Sequence, residues 1–241
     1  MRPELVPPKG MIFTGSGNFV AQGDTFLEYF KTYAGLEPTH HVLDIGSGIG
    51  RMARPLTQFL SSGAYEGFDV VETGVTWCIA NITAKYPNFN FTYVELKNDL
   101  YTESGADASI FKFPYEDDSF DLVILTSVFT HMVANEVEHY MQEIARVLKP
   151  GGKVFSTFFV LTDTSKKHMV GTDFEFKFKR ENHVLMDDKV TAANVAYEED
   201  YLKKELLSAN GFTLRHFLPG SWSSAPDYFD FQDIIVAEKT T

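Results

Sequence analysis

Three glycines at alternate positions, Gly46, Gly48 and Gly50, follow the apolar run His41-Val42-Leu43-Asp44-Ile45. That spacing lets a chain turn tightly at a strand end, offer its N–H groups to a ligand and enter a helix whose N-terminus favours negative charge. The chemistry it supports is nucleotide binding by main chain. A dinucleotide fingerprint, G-x-G-x-x-G, requires a glycine where Arg51 stands. Asp44 argues further against a pyrophosphate, because a carboxylate repels phosphate and accepts hydrogen bonds from a cationic or amine-bearing ligand. A nicotinamide-dependent oxidoreductase therefore lacks its glycine spacing here.

The elements that must position this loop alternate along the chain. Strand signals at 41–45, 65–69, 90–95 and 120–126 are interleaved with helical signals at 50–61, 73–85 and 135–148. This rhythm predicts an α/β protein with a parallel sheet and helices on both faces. Leu122-Val123-Ile124-Leu125 is continuously apolar, as a strand buried on both faces requires. Lys153 to Val160 supplies a fifth strand, Tyr197 to Asn210 a last helix, and Phe212 to Leu218 with Phe231 to Ala237 a closing pair. Ahead of the sheet, Pro and Gly residues make an arm over 1–23, and Asp24 is the expected cap of a helix through Phe26, Leu27, Phe30 and Tyr33. Residues 161–196 break the rhythm, with a turn-like Thr162-Asp163-Thr164-Ser165 and alternating Phe174, Phe176 and Phe178.

Asp44-x-Gly46-x-Gly48-x-Gly50 resembles motif I of class I S-adenosylmethionine-dependent methyltransferases of the small-molecule type. Three further stretches resemble the same family in the same order: Tyr65-Glu66-Gly67-Phe68-Asp69, Asp118-Ser119-Phe120-Asp121-Leu122-Val123, and Ile144-Ala145-Arg146-Val147-Leu148-Lys149-Pro150-Gly151-Gly152. Together they span roughly residues 40 to 160. The resemblance implies a three-layer αβα sandwich around a Rossmann-like seven-stranded, mostly parallel sheet whose last strand is antiparallel. It also implies S-adenosylmethionine as methyl donor and S-adenosylhomocysteine as product.

Residue by residue, the resemblance assigns Gly46, Ser47, Gly48 and Gly50 to close backbone approach, and Asp44 to the glycine loop or the donor's amino group. Asp69, twenty-five positions after Asp44, is the acid that accepts both ribose hydroxyls, with Val70 beside it, or else caps the helix beginning near Thr73. Arg51 pairs with the donor carboxylate or is a helix-surface charge. The adenine contact is Asn98 or Asp107-Ala108, with Phe111 or Phe113 stacking on the base. Thr126 to Met132 lies beyond strand four, where donor and acceptor meet, and His131 is the titratable group there. An imidazole of unperturbed pKa about 6.5 can take the proton that an attacking hydroxyl or amine releases. Alternatively His131 is structural and alignment suffices, because a sulfonium is already activated. His168 and His183 are rival bases.

The acceptor is expected to be a small molecule, methylated on oxygen or less readily on nitrogen. The alternative is a regulatory protein that binds the donor without turnover. A formal net charge of -12 disfavours nucleic acid, which needs clustered Lys and Arg. No metal is expected: Asp117-Asp118 suits the turn before strand four better than a cation site. Cys78 is the only cysteine, and no run approaches the ~20 apolar residues of a membrane helix, so a cytoplasmic protein with no membrane partner is expected. An insertion at 161–196, leaving the carboxyl edge of the sheet, is expected to wall the acceptor, or else to be decorative or dimer-forming. The arm either closes over the donor or is ordinary surface. Trp222 lines the acceptor site or anchors the last hairpin. The 241 residues are expected to form one domain.

Overall fold

The computed structural model describes residues 5–13, 15, 17–97, 105–190 and 193–240. Helix α1 (Phe19–Tyr33) precedes β1 (His41–Ile45), α2 (Ala53–Phe59), β2 (Ala64–Asp69), α3 (Glu72–Cys78), β3 (Phe89–Tyr93), β4 (Phe120–Leu125), α4 (Ala134–Val147) and β5 (Leu148–Phe158). Then come β6 (Val160–Leu161), α5 (Asp163–His168), β7 (Phe178–Lys179), β8 (Val184–Leu185), β9 (Val195–Glu198), α6 (Glu199–Tyr201), β10 (Phe212–Leu218) and β11 (Asp233–Lys239). The main sheet has seven strands in the order β3-β2-β1-β4-β5-β11-β10, with β11 antiparallel to both neighbours. The short strands β6, β9, β8 and β7 form a separate four-stranded sheet.

Successive strand residues point to opposite faces, and the central strands are apolar at both parities. Val42, Leu122, Ile124 and Phe155 bury one face against Phe30 of α1, Leu56 of α2 and Val75 of α3. Leu43, Val123, Leu125 and Val154 bury the other against Val137 and Ile144 of α4, and against Leu206 in the continuation of α6. Two apolar layers on one sheet make the three-layer sandwich. Asp44 shares parity with Val42, so its carboxylate enters the layer under α3 and not the opposite one. Among the described residues no helix is long and apolar enough to cross a membrane.

Several boundaries differ from the sequence expectation, each for a local reason. Helix α1 begins at Phe19, because Asn18 Oδ1 accepts from the N–H groups of Val20 and Ala21, both at 3.0 Å. Asp24 lies inside that helix and pairs with Arg54 instead of capping. Helix α2 is shorter than 50–61, and the helix from Glu72 widens into a π turn over Ile79–Thr83. Tyr197 belongs to β9, so the last helix starts at Glu199 and continues through a π turn, Leu202–Leu207. Of the three alternating phenylalanines only Phe178 is in a strand; Phe174 and Phe176 pack on Phe159 instead. Most consequential, β11 starts at Asp233, which leaves Phe231 and Gln232 in the preceding loop.

Candidate active site

Chain geometry at the carboxyl end of β1 demands glycine. Gly46 has φ +75°, and a Cβ there would lie 2.4 Å from Val128 Cγ2. Gly50 has φ +78°, and a Cβ there would lie 2.7 Å from Ile82 Cδ1. The first contact seats the loop against the chain leaving β4, and the second seats it against the α3 layer. Asp69, at the end of β2, ties the loop down: Oδ2 accepts from the Gly48 N–H at 2.7 Å and Oδ1 from the Val71 N–H at 2.8 Å. Burial raises the pKa of Asp69, and its bonds from Val71 and Gly48 oppose that shift. A carboxylate offers about four lone-pair sites, so Asp69 keeps capacity for a further donor such as a ribose hydroxyl.

Behind the loop, Asp44 Oδ2 accepts from the Tyr65 hydroxyl at 2.6 Å, while Oδ1 is buried without a hydrogen-bond partner. Burial pushes the Asp44 pKa up to about 7; the Tyr65 bond lowers it and the neighbouring Asp69 charge raises it. Arg51 donates to Gln22 Oε1 at 2.6 Å and lies 5.7 Å from the Phe19 ring centre. Burial lowers its pKa, although a guanidinium remains charged.

The glycine loop, Asp69 and Arg51 open onto a cavity of about 460 Å³, within the ~300–1,000 Å³ common for small-molecule sites. Gly46, Ser47, Gly48, Arg51, Asp69, Val70, Thr126 and His131 all line it. Asp44 and Gly50 do not, and Asn98 lies outside the described residues. Ala108 is on the wall, whereas Asp107 caps a 3-10 turn by accepting from Ser109 N–H at 2.8 Å. Phe113 is core, packed on Phe68 and Tyr140, and neither it nor Phe111 reaches the cavity wall. His131 ends the turn Phe129–His131, its N–H donating to Val128 O at 2.9 Å. His168 and His183 lie off the wall. Trp222 is a packing anchor: it is buried, lies off the wall and donates through Nε1 to Asp233 Oδ2 at 2.7 Å. Asp117 and Asp118 occupy a turn, paired with Arg146 and Lys239.

The segment 161–196, expected to wall the acceptor, contributes none of its described residues to the lining. The lining includes instead Phe13 of the arm, Gln22 and Phe26 of α1, and Asp230, Phe231 and Gln232 before β11. Their wall positions arise from contacts between distant segments, which no local sequence signal marks. Several of the lining groups suit parts of S-adenosylmethionine. Asp69 suits a ribose diol, Arg51 a carboxylate, and Val70, Leu96 and Ala108 an apolar base; the buried Ser47 Oγ has no partner within the protein.

Sheet order and loop together define a Rossmann-like α/β protein with a nucleotide site at the carboxyl ends of its strands. Residues 43–156 match the family described as methyltransferase domain. The sterol 24-C-methyltransferase erg6 of Schizosaccharomyces pombe is 32% identical over 149 residues, which cover 61% of this chain and 35% of that protein. The glycine/sarcosine/dimethylglycine N-methyltransferase of Actinopolyspora halophila is 29% identical over 136 residues, covering 56% of this chain and 21% of that one. The chain thus spans well under two thirds of the length of these relatives. The crystal structure of the PH0226 protein from Pyrococcus horikoshii OT3 superposes with a TM-score of 0.64 over 95% of both chains at 18% identity, a likeness of fold. Residues 43–156 thus carry a methyltransferase domain on a class I, Rossmann-like fold, and S-adenosylmethionine is the cofactor of that family.

Proposed function

We propose that this chain transfers a methyl group from S-adenosylmethionine to an oxygen, and less readily to a nitrogen, of a small-molecule acceptor. The observation that carries this is a single cavity walled by the glycine loop and Asp69 and also by His131, Ser127 and Phe231. Bound S-adenosylmethionine supplies a methyl group already activated by a sulfonium. Asp69 accepts the ribose hydroxyls, Arg51 holds the carboxylate, and Ser47 offers its hydroxyl to the donor. His131 takes the proton that an attacking hydroxyl releases, help worth roughly 10²–10⁴-fold. Enclosure by this wall would favour alignment of a bound acceptor with the donor.

A small acceptor, with neither nucleic acid nor membrane as partner, is supported by the net charge of -12. The cytoplasm is the compartment we propose, supported by a lone, buried cysteine. Calorimetric titration with S-adenosylhomocysteine tests the donor half: saturable binding by wild type and its loss in Asp69→Ala are expected. Absence of binding, or equal affinity in the variant, overturns it. Turnover on a panel of hydroxylated and amine metabolites tests the acceptor half, and binding without turnover on any of them points to a regulatory protein instead.

A further inference from the structure

The chain from Phe229 to Asp233 is anchored at every residue, first to α1 and then to the chain beyond β4 and the aromatic cluster around Phe159. Phe229 packs on Tyr29 and Tyr33 of α1, with ring centres 4.8 Å and 5.3 Å apart. Asp230 accepts a hydrogen bond from the Tyr29 hydroxyl. Phe231 turns the other way, 5.2 Å from Phe174 and 6.4 Å from Phe159. Gln232 Oε1 accepts from Ser127 Oγ at 3.0 Å, just beyond β4. Buried Asp233 accepts from the N–H groups of Gly220 and Val160 and from Trp222 Nε1, each at 2.7 Å. These residues form a strap from α1, past the end of β4, to the aromatic cluster of segment 161–196. Asp230, Phe231 and Gln232 are on the cavity wall, and Phe231 remains 46% exposed despite its packing.

A phenylalanine held on one side and open on the other is a preset contact for a ligand ring. Phe13 and Phe26 add apolar wall to the same cavity, while Asp230 and Gln232, flanking Phe231, supply an acceptor carboxylate and an amide. Aromatic rings pair in offset or edge-on geometries that a flat ring can meet and a puckered saturated ring cannot. We infer that Phe231 selects the methyl acceptor, that this acceptor is a phenol-like compound with a flat ring and a hydroxyl, and that segment 161–196 acts on the choice only by packing Phe231. This rests on the methyl-transfer proposal above.

The test uses full-length protein saturated with S-adenosylhomocysteine, titrated calorimetrically with 2-naphthol and with its saturated counterpart, decalin-2-ol. Wild type is expected to bind the naphthol about tenfold more tightly than the saturated alcohol, and Phe231→Ala to lose that preference. Phe174→Ala should weaken naphthol several-fold alone and have no further effect in the Phe231→Ala background, as a positioning residue would. S-adenosylhomocysteine affinity should be the same in all four proteins, which separates loss of the wall from loss of the fold. Equal binding of the two alcohols by wild type, binding of neither, or an unchanged preference in Phe231→Ala overturns the assignment alone. Failure of wild type to bind S-adenosylhomocysteine overturns the donor proposal and this one with it.

Discussion

Asp44 and Asp69 are both buried acids at neighbouring strand ends, yet their partners give them different work. Asp69 is satisfied by two backbone N–H groups and faces the cavity; Asp44 has one hydroxyl partner and faces the core. The folded Asp44 pKa of about 7 lies above the 3.8 of an ordinary aspartate, so between those values the folded state holds a proton that the unfolded chain releases. Stability therefore falls as pH rises through that window and is fully present below it. Asp44→Asn should flatten this slope, seen as urea midpoints converging with wild type near pH 4 and exceeding it at pH 8. A retained slope would locate the proton elsewhere. For His131, Ala substitution should lower kcat on an active acceptor by roughly 10²–10⁴-fold, leaving S-adenosylhomocysteine affinity unchanged. A kcat within about threefold of wild type would reduce His131 to a wall residue.

Among the elements, the loop between β10 and β11 stands on the cavity wall, the position the sequence pattern suggested for segment 161–196. Phe229 and Phe231 alternate with polar residues, so the run resembles a strand, but its backbone is spent on the Gly220 turn and not on a ladder. Asp233 holds that turn to Val160 through three donors, with burial pushing its pKa up to about 6 and those bonds holding it down. Trp222→Phe removes one of the three. The expected loss is about 1–3 kcal/mol by urea unfolding, larger at pH 8, where Asp233 is charged, than at pH 5, where protonation relieves the missing bond. A uniform loss at both values would assign the effect to packing.

For the whole molecule, both apolar layers share one sheet, so their unfolding is expected to be a single transition by far-UV dichroism and tryptophan fluorescence. A ligand that binds only the folded state stabilises by mass action, about 2.7 kcal/mol at a hundred times its Kd. For a chain of this size, S-adenosylhomocysteine at that level should raise Tm by roughly 5–10 °C. Asp69→Ala should show no such rise at the same concentration. Non-coincident transitions would mean that the C-terminal hairpin and the 161–196 segment unfold apart from the central sheet.

The parts legible in the sequence were those written within a few consecutive residues. Gly46, Gly48 and Gly50 announce a loop because positive φ is a local demand, and Leu122 to Leu125 announce a central strand because burial on both faces leaves no polar position. The donor site follows from these, since a strand, its loop and the next strand's terminal acid recur at short spacing. Asn18 and Asp24 show where local chemistry was insufficient: both can cap a helix, and only the folded chain decided between them, with Phe19 buried and Asp24 paired to Arg54. The rest of the cavity wall lay further out of reach. Ser127 meets Gln232 across 105 positions, and Tyr29 meets Phe229 from the other end of the chain. Such contacts have no spacing rule, because they form only when the completed sheet brings its edges together. The sequence by itself determined the glycine loop and the strand-end acid that ties it down, and the tertiary structure decided which residues close the cavity above them.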